Sequence, residues 1–153
     1  MGILMATEIR ALSEALDDEY RSWATYDQVL VDFGDVRPFI NIREAEARHI
    51  EALCMLLTRY GIPVPVNRWP GNVERYGNLQ DACEAAVVAE IANGEMYERL
   101  LKETQRPDIL AVLRNLQEAS QQRHLPAFQR CAQRPAGGGG GGRGAGHYRG
   151  GRG

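Results

Sequence analysis

Glu46 and His49 stand three residues apart in a segment where a helix would otherwise bury hydrocarbon. Read as a helix from Pro38 to Tyr60, the segment carries Ile42, Glu46, His49, Leu53, Leu56 and Tyr60 at alternating spacings of four and three. That is one apolar stripe interrupted at its middle by E-x-x-H. The i, i+3 spacing stacks the two side chains one turn apart on a single face, so a carboxylate oxygen and an imidazole nitrogen can converge on a common cation. Alone the pair is unspecific, because a solvated glutamate and a satisfied core histidine give the same pattern.

Two further segments repeat the anomaly. From Thr7 to Phe33 the stripe reads Ile9, Leu12, Leu16, Glu19, Trp23, Tyr26, Leu30 and Phe33. From Leu79 to Thr104 it reads Leu79, Cys83, Ala86, Glu90, Asn93, Tyr97 and Leu100. In each, a carboxylate takes a core slot and a tyrosine follows seven residues later, nearly two full turns along the same face. A fourth segment, Pro107 to Arg130, is less regular: Leu110, Leu113, Gln117, Ser120 and Gln121 lead to His124, then Phe128 and Cys131. Glu19, Glu46, Glu90, His49 and His124 are therefore expected to face one interior. Isolated buried carboxylates are costly by several kcal/mol each, so three in one core need compensating charge, and two divalent cations would supply it. Carboxylates can bridge such ions, imidazoles can cap them, and Tyr26 and Tyr97 can orient the ligating oxygens by hydrogen bonding.

This arrangement resembles the ferritin-like superfamily of di-iron carboxylate proteins over about Thr7 to Cys131, and the pairing of Glu19 with Tyr26 is most similar to its rubrerythrin branch. The run from Phe39 through Glu46 and His49 to Gly61, with the segment R-H-L-P-A-F from Arg123 to Phe128, is similar to an uncharacterised bacterial and archaeal domain family of that superfamily. The resemblance implies a four-helix bundle and an iron site, di-iron or mononuclear, held by Glu19, Glu46, His49, Glu90 and His124. It also implies oxidoreductase chemistry on oxygen or peroxide at open metal positions, Glu46 or Glu90 bridging and the histidines terminal. The pattern departs at two places. Three before His124, where a second E-x-x-H would put glutamate, stands Gln121, and three after Glu90, where another carboxylate would stand, is Asn93. Both are expected beside the ligands rather than among them, and the donor set is compatible with a pair of ions, a single ion or a relic. No rubredoxin-like cysteine cluster follows the bundle, so electrons would come from a separate donor protein.

The same residues admit a non-enzymatic reading, a bundle with a vestigial or metal-storage site serving metal handling or protein association. Arg48 or Arg123 would then neutralise the glutamates. Trp23 reads as core, and both tyrosines as packing residues with satisfied hydroxyls. Cys83 lies two turns before Glu90 and Cys131 two turns after His124, so antiparallel third and fourth helices bring them level; two buried thiols are the favoured reading, a disulfide or soft-metal contact the alternatives. Cys54 falls off the stripe.

These side chains meet only if four helices hold them. Thr7 can cap the first, Gly34 and Asp35 break it, Pro38 suits the first turn of the second, Gly61 its end, and Asn78 the cap of the third. Pro126 should bend the fourth just beyond itself. Between the second and third helices lie roughly 17 residues containing Pro63, Pro65, Pro70, Gly71 and Gly77, enough at about 3.3 Å per residue to run the length of a helix. The second and third helices are then parallel, giving an all-α ferritin-like bundle with one long crossover.

The chain of 153 residues, 44% hydrophobic and 25% charged, fits a single globular domain over 7–134, with residues 1–6 as an extension. No apolar run suits a membrane span, and Met1 to Met5 offers no signal-peptide pattern, unless one has already been removed. Three cysteines fit a reducing, cytoplasmic compartment best, with one bridge possible. After Pro135 the composition turns to glycine and arginine, expected to be a disordered tail. Of 18 basic residues, Arg143, Arg149 and Arg152 lie there without an acid, so the remaining chain is more acidic than the net charge of -2 suggests and is no nucleic-acid surface. The tail is a weak RGG-like segment, better read as a flexible extension than as an RNA binder. A homodimer through a side face is compatible with the bundle. Hydrolase and nucleotide-binding motifs are absent.

Overall fold

The computed structural model describes residues 2–134, and the regular structure in that span is helical throughout. Helix α1 is Ala6–Phe33, α2 is Phe39–Arg59 and α3 is Leu79–Leu100, which ends in a tight turn, Leu101–Glu103. Helix α4 is Pro107–Ala119; a π-helical turn, Ser120–His124, joins it to α5, Leu125–Ala132, and the three form the fourth rod of the bundle. The glycine and arginine tail, with the RNA alternative attached to it, lies outside the described residues.

Most of the punctuation acts as its chemistry dictates. Gly34 and Gly61 end α1 and α2 at φ values of 90° and 74°, which a side chain would strain. Asn78 caps α3 by accepting the Asp81 N–H at 2.8 Å. Thr7 does not cap α1, because the helix already begins at Ala6; Glu8 reaches back instead and accepts the Met5 N–H at 2.9 Å.

Tertiary contacts fix the directions. Tyr97 meets Glu19 while Tyr26 meets Glu90, so α1 and α3 are antiparallel. Arg43 reaches Asp27 across the short α1–α2 connection, so these two are antiparallel as well and α2 runs parallel to α3. The crossover lies along α1: Tyr20 donates to the Pro65 carbonyl, the Trp69 indole to Asp17, and Arg75 to both oxygens of Asp32.

Among the described residues the core falls into two apolar halves. One gathers Leu12, Leu16, Leu53, Leu57, Tyr97 and Leu113; the other gathers Tyr26, Phe39, Ile42, Cys83 and Phe128. On every rod the residues between them are polar: Glu19, Glu46 with His49, Glu90 with Asn93, and Ser120 with His124. Each fully buried leucine or phenylalanine contributes roughly 1.5–3 kcal/mol, and this burial carries the cost of the polar layer.

Four expectations change. Trp23 is half-buried, and Tyr20 and Ala24 take its place, because a straight helix drifts by about 20° per seven residues against an alternating three-four stripe. The same drift leaves Leu110 half-buried while Ile109, Leu113 and Leu116 face inward. The irregularity at Pro126 is a π turn just before the proline, which accommodates its missing N–H and its clash with the preceding turn, the Leu125 N–H bonding the Ser120 carbonyl. Finally, Cys83 and Cys131 form a disulfide with their Cα atoms 5.8 Å apart, replacing the two-thiol reading and removing cysteine usage as an argument for a reducing compartment. Cys54 is a free, partly buried thiol, off the stripe as expected.

Candidate metal centre

The mid-bundle layer brings together all five expected side chains. Glu19, Glu46 and Glu90 are each 2% exposed and His124 is 4%, while His49 keeps somewhat more solvent contact. His49 Nδ1 lies 3.1 Å from Glu46 Oε1 and 3.5 Å from Glu19 Oε1. His124 Nδ1 lies 3.5 Å from Glu46 Oε2 and 3.6 Å from Glu90 Oε2. The two imidazoles stack with centroids 5.5 Å apart and planes 16° from parallel. Two groups of potential metal ligands result, Glu19 with Glu46 and His49, and Glu46 with Glu90 and His124, the ligand atoms in each lying within 4.8 Å of one another. Glu46 belongs to both and gives one oxygen to each.

The carboxylates are oriented crosswise. Tyr26 of α1 donates to Glu90 Oε2 of α3 at 2.8 Å, and Tyr97 of α3 donates to Glu19 Oε2 of α1. Sequence spacing pairs each tyrosine with the glutamate of its own helix; the antiparallel packing hands it to the other. Ser120 donates to Glu90 Oε1 at 2.6 Å, a contact given no role in the sequence reading although Ser120 stands on the stripe four residues before His124. Gln121 is not directed at the carboxylates; its amide donates to the Glu90 carbonyl and to the Ser120 hydroxyl, both at 2.8 Å. It fits there because residue 94 is glycine, where a Cβ would come within 2.4 Å of the Gln121 amide. Asn93 donates to Asp18 at 2.7 Å and more distantly to Glu19 at 3.5 Å, so Asp18 joins the surroundings of the site, a residue no spacing argument marks.

The electrostatics follow from burial and mutual proximity. Burial, with the neighbouring charge of Glu46, pushes Glu19 up to about 8 against the pull of His49. Burial alone would lower His49 and His124, but the carboxylates beside them push the two up to about 9 and about 10. For Glu46 burial acts upward, yet its close approach to Glu19, His124 and His49 holds it below the usual glutamate range. Tyr26 and Tyr97 are pushed well above the ordinary phenol value, first by burial and then by the adjacent carboxylates, so they remain protonated donors.

Arginine does not neutralise the cluster: Arg48 and Arg123 are exposed, and the ion-pair partners of the three glutamates among the described residues are His49 and His124. Among the described residues the buried side-chain atoms left without a hydrogen bond are Glu19 Oε1, His124 Nδ1 and Asn93 Oδ1. The first two belong one to each ligand group. Oxygen donors with one imidazole apiece suit a divalent transition metal, so the residues present fit such an ion on donor chemistry and on the orphaned atoms alike.

Fold and site together define a ferritin-like four-helix bundle with two buried Glu/His clusters that could hold divalent metal. Residues 14–137 match the model of an uncharacterised protein domain family, DUF2202, and the chain belongs to it. Among solved structures it is similar to a conserved hypothetical protein, rv2844, from Mycobacterium tuberculosis, at 14% identity and a TM-score of 0.71 over 85% of this chain and 94% of that one. That likeness concerns the fold alone. Comparison with curated proteins finds no match. No described helix is long and apolar enough to cross a membrane.

Proposed function

We propose that this chain is a di-iron protein that reduces dioxygen or peroxide, in which Glu19 and His49 would hold one iron, Glu90 and His124 the other, and Glu46 would serve both groups. The observation that carries the reading is the position of Glu46, with Oε1 toward His49 at 3.1 Å and Oε2 toward His124 at 3.5 Å. Bound iron would supply the electrons and the Lewis acidity.

The chain's own residues do the rest. Tyr26 and Ser120 fix the two oxygens of Glu90, and Tyr97 fixes Glu19, so the carboxylates are oriented before any ion arrives. The apolar halves on either side keep bulk water from the layer. A protein electron donor would restore the reduced state.

The test is iron content and turnover of protein prepared without chelator. About two irons per chain and peroxide consumption above that of free Fe(II) are expected for the native sequence, with both lost in Glu46→Gln. Protein that takes up no Fe(II), or a Glu46→Gln variant that holds as much as the native one, overturns the reading.

A further inference from the structure

A cavity of about 310 Å³ opens between α1, α3 and the crossover. Its floor is made by α3, where Ala82, Ala85, Ala86 and Ala89 recur at helical spacing and leave space that larger side chains would fill. The crossover borders this floor and is tied to α1 at two points: the Trp69 indole donates to Asp17 at 3.0 Å, and Arg75 holds Asp32 at 2.6 Å. Tyr26 also lines the cavity, and its hydroxyl is the group that donates to Glu90. An occupant is thus one side chain away from the mid-bundle layer.

We infer that this cavity binds a small single-ring aromatic molecule with a neutral hydrogen-bonding head, of the phenol class, next to Tyr26. The volume lies at the small end for ligand sites, and a space of about 150 Å³ already admits benzene, so one substituted ring fits. Trp69, Tyr76 and the alanine methyls give the ring apolar walls, and Ser22 and Thr25 are the neutral hydroxyl-bearing residues among those lining the cavity. The rim selects on charge. Arg21 is paired with Asp18 at 3.0 Å and stacks on Trp69, which leaves the Glu74 carboxylate in surplus and disfavours an anion. The cavity stands without the iron assignment; its role as the seat of a substrate or organic reductant rests on that assignment.

The test uses full-length protein carrying Trp23→Phe, so that Trp69 is the single tryptophan reporter. Phenol should quench Trp69 fluorescence saturably, and benzoate, the same ring with a negative head, should bind about tenfold or more weakly. Ala85→Leu, which fills the floor, should weaken phenol by about tenfold or more while the helical circular dichroism and melting temperature stay unchanged. Quenching that does not saturate, equal binding of benzoate, or an Ala85→Leu variant that binds as before overturns the inference. Iron uptake is measured on the same preparation, so a protein that loads iron without binding phenol counts against the cavity alone, and the converse counts against the iron reading alone.

Discussion

Tyr97 is fully buried and its hydroxyl is the closest donor to Glu19, so replacing it by phenylalanine removes a donor without opening much space. Glu19 Oε2 would retain only the distant Asn93 amide. We expect Tyr97→Phe to cost about 1–3 kcal/mol in thermal or urea unfolding and to weaken metal binding by roughly 10–100-fold in titration. Gly94 makes a sharper case, because two effects of opposite sign meet there. Alanine gains about 1 kcal/mol of helix propensity but displaces the Gln121 amide from the Glu90 carbonyl and Ser120. Losing two part-buried hydrogen bonds outweighs that, so Gly94→Ala should destabilise by roughly 1 kcal/mol. In a Gln121→Ala background the same change should turn stabilising, which chemical denaturation of the four proteins in the cycle would show.

At the scale of elements, two ties hold rods together outside the polar layer. The Cys83–Cys131 disulfide joins α3 to α5 across a sequence separation of 48 residues, and removing that loop constraint from the unfolded chain should cost about 4 kcal/mol. A Cys83→Ser, Cys131→Ser double variant should therefore melt lower, and reductant should lower the native protein toward it without affecting the variant. The second tie joins the start of α1 to the turn before α4: Glu8 is buried, accepts from Thr104 at 2.6 Å and pairs with Arg106 at 3.1 Å. Burial acts to raise its carboxyl, but the Thr104, Met5 and Arg106 contacts more than offset this and leave it below the ordinary glutamate value. Its contribution is accordingly present at and above the ordinary glutamate range and lost as pH falls through the lowered value. Melting curves taken downward from pH 6 should show the native protein losing an increment of stability that Glu8→Gln lacks, the two converging in acid.

The whole molecule places its polar layer between two hydrocarbon halves, so any metal held in that layer would be thermodynamically linked to the fold. An ion that binds the folded layer and not the unfolded chain stabilises by about 2.7 kcal/mol at a free concentration one hundred times its dissociation constant. For a chain of this size that corresponds to a rise of roughly 5–10 °C, which differential scanning fluorimetry with Fe(II) or with chelator would measure. Glu46→Gln should abolish the rise, because both ligand groups depend on that residue.

The extents of the four rods, the layer of inward carboxylates and imidazoles and the single crossover were all legible in the chain, since each is written in spacing: apolar residues at three and four, glycine and proline at the breaks, and one long connection rich in proline and glycine. What spacing does not carry is which helix faces which. Packing alone decided that Tyr26 serves Glu90 and Tyr97 serves Glu19, that Ser120 rather than Gln121 touches a carboxylate, and that Trp23 swings out while Tyr20 turns in. A π turn changes register without changing composition, and a disulfide needs two helices brought level, so both appear only when the chain is folded. Period along a helix is a local property set by backbone geometry, whereas partnership between helices depends on the direction and depth of every rod at once.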